Sequence, residues 1–146
     1  MIEVRELGQA HFSDWAAQRK ALWPAQPAGE LAAELEAFMG DPVQAAFGAF
    51  DGNLLVGFSE VSERPWGEEC LTRPVGWLEA VYVVPSHRRR GVGAMLVRAA
   101  EDWVRARGLK EFGSDALIDN TVSIRAHGEW GFTETQRAVS FRKELK

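Results

Sequence analysis

The stretch that decides the fold is residues 75–94, VGWLEAVYVVPSHRRRGVGA. An apolar run rich in β-branched residues ends at Pro85, three arginines follow, and Gly91-Val92-Gly93 opens an amphipathic stretch. This order predicts a strand that enters a basic, glycine-rich turn at the start of a helix. Such a turn suits a phosphate, because the first N–H groups of a helix lack intrahelical acceptors and the helix dipole favours an anion there. A tight turn with solvated arginines is the alternative, and the motif matches neither a Walker loop nor the dinucleotide fingerprint.

Helices and strands follow one another on both sides of this stretch. Apolar residues at helical spacing predict helices over 13–23, 30–39, 91–107 and 120–130. Strands are expected at 2–7, 44–50, 54–62, 75–84, 110–114 and, near the C-terminus, 138–143. The order βααβββαβαβ predicts an α/β fold, a mixed sheet flanked by helices, as one domain over residues 1–146.

Composition narrows the classes of function. A chain of 146 residues has room for one hydrophobic core. The net charge of −4 argues against a nucleic-acid partner and suits cationic small molecules. No apolar run is long enough for a membrane span, and the N-terminus lacks the pattern of a secretory leader. Cys70 is the only cysteine, which excludes an internal disulfide and a cysteine metal cluster, so we expect a cytoplasmic protein without a metal.

Two carboxylates, Glu79 and Asp115, are candidate binding residues because of where they lie relative to predicted strands. Glu79 interrupts the long strand, where a buried carboxylate is costly without a partner. Strand alternation predicts that it shares a face with Val81 and Val83, and a structural salt bridge is the alternative reading. Asp115 follows a short strand, either as a ligand-binding residue or as a turn residue. Together the two acids predict an anionic pocket for ammonium groups.

Several separate motifs resemble those of the GNAT N-acetyltransferases. Arg88-Arg89-Arg90-Gly91-Val92-Gly93 follows their coenzyme A pattern of Gln/Arg-x-x-Gly-x-Gly/Ala, and His127 precedes Gly131-Phe132 where they carry an aromatic residue. The whole chain is most similar to the short bacterial aminoglycoside 6′-N-acetyltransferases. The segments that carry this closer similarity are Leu22-Trp23-Pro24, Gly76-Trp77-Leu78-Glu79, Ser114-Asp115-Ala116 with Asp119-Asn120, and Gly131-Phe132-Thr133-Glu134-Thr135.

The resemblance implies the GNAT fold and a binding site for acetyl-CoA. The main chain of the fourth strand would pair with the pantetheine arm, and the turn after it would hold the pyrophosphate on its N–H groups. The implied strand residues are Val81, Tyr82 and Val83, and the implied turn residues are Arg89, Arg90, Gly91, Val92, Gly93 and Ala94. Asn120 would contact the coenzyme arm, and a helix cap is its alternative role.

The resemblance also implies an aminoglycoside site that contains Glu79 and Asp115. By this resemblance, Trp23 and Trp66 match substrate-contacting positions. Aromatic faces suit sugar rings and cations, which agrees with that role. Core packing is an equal reading for Trp23. Gln26 falls where the family has a polar loop contact. Gln136 stands where close relatives carry a glutamate, so one negative charge is absent from the pocket.

The chemistry of acetyl transfer requires a proton acceptor and a proton donor. Glu79 or Asp115 would accept the proton of the substrate amine, directly or through water. His127 is a candidate acid for the coenzyme thiolate, with a helix-surface histidine and protonation by solvent as the alternatives.

Three functions of different kinds are compatible with these residues. The first is acetylation of the 6′-amine of aminoglycosides, which inactivates the antibiotic and confers resistance. The second is acetylation of another amine, such as a polyamine, an amino acid or a peptide N-terminus. The third is a coenzyme A-binding module without turnover, against which the intact acids argue. GNAT dimers use strands near the end of the chain, so the resemblance also implies a homodimer with residues 138–143 as its candidate interface.

Overall fold

The computed structural model describes all residues from Met1 to Lys146. It divides into two compact units, Met1–Ser114 and Asp115–Lys146. The first unit contains β1 (Ile2–Glu6), α1 (Phe12–Leu22), α2 (Ala28–Phe38), β2 (Gln44–Asp51), β3 (Leu54–Arg64), β4 (Val75–Val83), α3 (Val92–Ala106) and β5 (Phe112–Ser114). The second unit contains α4 (Thr121–Glu129). Each of these elements was predicted, with bounds that differ by a few residues.

The strands form one sheet in the order β1-β2-β3-β4-β5. The first four are antiparallel, and β5 runs parallel to β4 over Gly76–Leu78 only. The hairpin between β2 and β3 turns at Gly52, whose φ of +62° lies in the left-handed region that glycine tolerates. The sheet is therefore the mixed sheet that the chain order predicts.

Hydrophobic clusters cover both faces of the sheet. On the face under α1 and α2, Trp15 and Leu35 pack with Phe58 and Ala80. On the other face, the apolar stripe of α3 packs on β2 and β3, and Leu96 is fully buried there. Full burial of one such side chain stabilises the fold by about 1.5–3 kcal/mol. Val81 and Val83 pack on this α3 face.

A β-bulge lies in the middle of β4. Glu60 of β3 is opposite Ala80, but the next residue, Val61, is opposite Leu78, so Glu79 is the extra residue. A bulge re-aims a side chain and interrupts strict alternation. Glu79 consequently points to the face under α1 and α2, where Ala80 also packs. The prediction that Glu79 shares a face with Val81 and Val83 is wrong, because it assumed a regular strand.

The second unit lacks the predicted final strand. Residues 132–146 form no helix or strand, and every residue from 133 onward is exposed. Among the apolar side chains of this segment, Val139, Phe141 and Leu145 are 72%, 92% and 83% exposed. Alternation predicted a strand at 138–143, but a strand needs a neighbour for its backbone groups, and this unit contains no other strand.

None of the helices combines the length and the apolar character needed to cross a bilayer.

Candidate functional site

A cavity of about 500 Å³ opens on the sheet face under α1 and α2. Four glutamates, Glu34, Glu60, Glu63 and Glu79, contribute to its lining, and Trp23 adds an aromatic face. Three of these glutamates come from adjacent strands and Glu34 comes from α2. The cavity therefore concentrates carboxylates beside an aromatic ring, which suits a sugar that carries ammonium groups.

Glu79 is held by two residues of the neighbouring strand. Its Oε1 accepts hydrogen bonds from Ser62 Oγ at 2.8 Å and from Arg64 Nε at 2.7 Å, and its Oε2 accepts one from Arg64 Nη2 at 2.8 Å. Ser62 and Arg64 are two residues apart on β3 and so face the same way. The bulge brings the carboxylate to that face. Glu79 thus makes the salt bridge considered as its alternative role, while it also lines the cavity.

Glu60 forms the buried floor of the cavity. Its carboxylate is 2% exposed and accepts hydrogen bonds from Arg19 Nε at 2.8 Å, Arg19 Nη2 at 3.0 Å and Trp15 Nε1 at 3.0 Å. Burial raises the pKa of the Glu60 carboxyl, and the Arg19 hydrogen bonds oppose that rise. Arg19 Nη1 also reaches Glu34 at the cavity rim, at 2.7 Å. A continuous network therefore ties α1, α2 and β3 together under the cavity.

Trp23 and Gln26, two of the predicted substrate residues, lie at one side of this network. Trp23 is partly buried against the core, and the Arg19 guanidinium lies 4.9 Å from its ring. Gln26 Nε2 donates to Glu34 Oε1 at 2.7 Å. Trp23 therefore packs against the core, as one of its two readings expected, and also lines the cavity. Gln26 hydrogen-bonds to the lining residue Glu34. Contact of Trp23 and Gln26 with substrate stays a prediction.

Trp66 lies outside the set of residues that line the cavity. It is 54% exposed in the loop between β3 and β4. Glu111 anchors this loop by accepting hydrogen bonds from the main-chain N–H groups of Leu71 at 2.7 Å and Thr72 at 2.6 Å. Cys70 in the same loop is half-buried, and burial raises the pKa of its thiol.

The turn after β4 has the geometry that the phosphate prediction requires. Arg89 and Gly91 adopt left-handed backbone angles, φ +63° and φ +80°, and α3 begins at Val92 without a side-chain cap. The N–H groups of Val92, Gly93 and Ala94 in this first turn have no intrahelical acceptors. Arg90 lies between the two left-handed residues and is exposed. The turn therefore offers main-chain N–H groups and positive charge to one anion.

Two contacts fix this turn to the sheet. Arg88 Nε donates to the Val83 carbonyl oxygen at 2.7 Å, and the Arg88 guanidinium lies 5.5 Å from the Tyr82 ring. His87 Nε2 lies 2.9 Å from Asp51 Oδ2 at the β2–β3 hairpin. The motif's first arginine thus has a structural contact within the turn.

The outer edge of β4 is open beyond its short pairing with β5. Pairing ends at Leu78, so no strand of the first unit bonds to that edge of Val81, Tyr82 and Val83. Their side chains pack in the two cores, Val81 and Val83 on one face and Tyr82 on the other. The side chains therefore have the core role that the sequence analysis considered, and the main chain at this edge is left for an extended ligand. The pairing of that edge with the coenzyme arm stays a prediction.

The second unit contains the remaining predicted residues. Asn120 is the N-cap of α4 and accepts a hydrogen bond from Ser123 N at 3.1 Å. His127 Nδ1 lies 2.7 Å from the Ser123 carbonyl oxygen, which only accepts, so Nδ1 carries the proton and Nε2 is the acceptor in a neutral ring. The His127 ring lies 5.2 Å from Trp130 and 5.3 Å from Phe132. Asp115 and Gln136 are exposed.

Sequence reasoning missed Glu34, Glu60 and Glu63. Glu60 sits in the apolar stretch Val56–Val61, just as Glu79 sits in β4, so the argument from the cost of a buried carboxylate could have found it. Glu34 and Glu63 carried no such signal, because charged residues on a helix and at a strand end are usual on surfaces. No group of three or more His, Cys, Asp or Glu side chains is arranged to hold a metal ion.

The sequence profile described as the Acetyltransferase (GNAT) family matches residues 9–132. An aminoglycoside N(6′)-acetyltransferase type 1 of Klebsiella aerogenes is 42% identical over 147 residues, covering 97% of this chain and 96% of the relative. A protein of the same name from Salmonella typhimurium is 34% identical, with 97% and 99% covered.

A solved structure has nearly the same backbone. It is AAC(6′)-Iy in complex with the bisubstrate analogue CoA-S-monomethyl-acetylneamine. The TM-score is 0.94 at 33% identity, and 99% of each chain is covered.

Proposed function

The chain belongs to the GNAT acetyltransferase family, and on that premise we propose that it transfers the acetyl group of acetyl-CoA to the 6′-amine of aminoglycosides. The observation that carries this proposal is that β4 contributes to two places. Its residue Glu79 lines the carboxylate-rich cavity, and its open edge leads into the turn before α3. One strand therefore serves both halves of the proposed active site, the acceptor half that binds the amine and the donor half that binds acetyl-CoA.

The donor half fits acetyl-CoA. The open edge of Val81, Tyr82 and Val83 offers main-chain groups to the pantetheine amides. The turn offers the pyrophosphate the N–H groups of the first turn of α3, together with the charges of Arg89 and Arg90. Gly91 keeps this turn free of a side chain at a left-handed position.

The acceptor half fits a cationic sugar. Glu79 presents its charge to the cavity and Trp23 presents a ring, while Trp66 and Asp115 are exposed and able to contact substrate. In the reaction the neutral amine attacks the thioester carbonyl, a tetrahedral intermediate forms, and the thiolate leaves. Glu79 or Asp115 accepts the amine proton. His127 Nε2 gives a proton to the thiolate when the ring is in its cationic form, because the neutral ring with its proton on Nδ1 can only accept at Nε2.

A matched pair of substrates tests this function. Neamine carries the 6′-amine, and paromamine has a hydroxyl in its place. We expect release of free coenzyme thiol from acetyl-CoA with neamine and none above background with paromamine. Expression in a sensitive bacterium should protect it against 6′-amino drugs only. Equal turnover of the two compounds, or none with neamine, contradicts the proposal.

Gln136 is the observation that favours a second candidate, acetylation of another amine. The absent carboxylate lowers the charge available to a substrate with several ammonium groups. A panel of polyamines, amino acids and peptide N-termini distinguishes the two. Turnover on a member of that panel with none on neamine would favour the second candidate.

We propose further that the protein is a cytoplasmic homodimer. The exposed segment 138–143 has the alternation of a strand and the apolar side chains Val139 and Phe141, so a second copy can supply the missing neighbour. Sedimentation should give twice the chain mass, and F141D should give the chain mass; a wild-type monomer contradicts the proposal. Cell fractionation tests the compartment.

A further inference from the structure

Arg64 and Ser62 together occupy most of the hydrogen-bonding capacity of Glu79. A carboxylate has about four acceptor positions, and Arg64 fills one on each oxygen, at 2.7 Å and 2.8 Å. Ser62 fills a third at 2.8 Å. An ammonium group that approaches Glu79 therefore meets a carboxylate whose charge is balanced by the protein itself.

The ring of Trp77 supports the guanidinium of Arg64. The guanidinium lies 4.7 Å from the ring of Trp77, which is 2% exposed and so cannot move aside easily. A planar guanidinium that stacks on a ring and binds a carboxylate through two N–H groups is preorganised for that contact. The Arg64 and Glu79 side chains are nevertheless 36% and 28% exposed, so solutes reach the pair.

The other cavity glutamates differ in this respect. Glu60 is buried with Arg19, beyond the reach of a solute. Glu63 meets Arg107 only at 3.5 Å, through one nitrogen. Glu34 also meets an arginine through one nitrogen, Arg19 Nη1 at 2.7 Å, and that arginine is shared with Glu60. Glu79 is thus the solvent-accessible cavity carboxylate that is bound side-on by a single arginine.

We propose that Arg64 is an internal counter-ion that occupies the ammonium site of Glu79 and competes with the substrate for it. This inference rests on the proposed function, since it assigns a specificity-determining role within the same acceptor cavity. Arg64 weakens the binding of an ammonium group, because that group must displace the Arg64 guanidinium from the Glu79 carboxylate. Substrates with several ammonium groups, which compete better, are favoured over monoamines.

Removal of the Arg64 charge provides the test. R64Q keeps much of the side-chain length, and R64K keeps the charge without the paired N–H groups. Calorimetric titration of neamine into each protein without acetyl-CoA measures binding alone. We expect R64Q to bind neamine about five-fold more tightly, within the range of a partly exposed ion pair, and R64K to resemble the wild type. The affinity of R64Q should also depend more steeply on salt, because its site carries more net negative charge.

R107Q is the matched control, since it removes an arginine from another carboxylate of the same cavity. It should change neamine affinity much less than R64Q does. Equal tightening in both variants would assign the effect to net charge and overturn the proposal. Unchanged or weaker binding by R64Q would also overturn it, and would identify Arg64 as a residue that only orients Glu79.

A measurement on the wild type covers the case in which R64Q does not fold. The Arg64 Nε–H resonance of ¹⁵N-labelled protein, assigned by its absence in R64K, should shift when neamine is added, because the contact to Glu79 is exchanged. A resonance that stays fixed at saturation contradicts the competition. Neither binding measurement requires turnover, so a protein that binds neamine without acetylating it would refute the proposed function and leave this test intact.

Discussion

The Arg19 guanidinium and the Glu60 carboxylate meet side-on in the interior, with Nε 2.8 Å from Oε2 and Nη2 3.0 Å from Oε1. Their side chains are 6% and 2% exposed. The pair joins helix α1 to the central strand β3, directly under the cavity.

R19M should destabilise the protein strongly, because it leaves the Glu60 charge buried without a counter-ion. The expected loss is about 3–5 kcal/mol in the free energy of unfolding, measured by urea denaturation. R105M, which removes the exposed pair of Arg105 with Glu101, should cost less than about 1 kcal/mol. The double variant R19M/E60M should recover much of the loss. Similar costs for R19M and R105M would contradict the role of the buried pair.

E79Q should impair turnover of the amine substrate and leave the binding of acetyl-CoA unchanged. Loss of the charge should lower kcat/KM for neamine at least about 30-fold, while the KM for acetyl-CoA stays unchanged. E63Q removes a charge from the same cavity and should have a much smaller effect. Steady-state kinetics with each substrate varied in turn measures both constants. A rise in the KM for acetyl-CoA in E79Q would place Glu79 in the wrong half of the site.

G91A should weaken the binding of acetyl-CoA. Its backbone has φ +80°, and a side chain there costs about 1–2 kcal/mol, so the turn will shift to relieve the strain. G52A is the control, because Gly52 has φ +62° in the hairpin away from the turn. Both variants should lose stability, but only G91A should raise the KM for acetyl-CoA. An unchanged KM in G91A would argue against pyrophosphate binding at this turn.

The contact between Asp51 and His87 should be visible as acid sensitivity. The hydrogen bond from His87 holds the pKa of the Asp51 carboxyl below its ordinary value. The stability that this group contributes is present above the ordinary pKa of about 3.9 and is lost as the pH falls through the lower folded value. D51N should therefore flatten the decline of the thermal midpoint below about pH 4. Ser86 Oγ lies 2.9 Å from Nδ1 of the same imidazole. S86A removes that contact and leaves the carboxylate, so it should keep the wild-type decline. An unchanged decline in D51N would refute the assignment.

The sequence was most informative where local pattern and tertiary structure agree. The apolar stripe of α3 and the β-branched run of β4 predicted both elements, and the predicted GNAT fold is confirmed by the comparisons. The resemblance to the aminoglycoside acetyltransferases is confirmed as well. The apolar residues whose spacing defines α3 and β4 are buried within the first unit, so the spacing of neighbouring residues suffices to predict both elements.

The features that the sequence did not predict depend on contacts between separate elements, which the spacing of residues along the chain does not encode. The bulge at Glu79 arises from the mismatch between β3 and β4, and neither strand shows it alone. The cavity glutamates belong to separate elements that only the fold brings together. The strand expected at 138–143 has the right alternation but no partner in its own unit. The individual roles of Asp115, Asn120 and His127 in the reaction stay predictions.

The single inserted residue in β4 has a consequence for how this enzyme can diverge. It turns Glu79 toward one face of the sheet, whereas Val81 and Val83 anchor the strand on the other. A substitution at Glu79 therefore leaves untouched the packing of Val81 and Val83 against the α3 side of the sheet. The carboxylate side of the strand can thus vary in sequence while the opposite side keeps its core contacts.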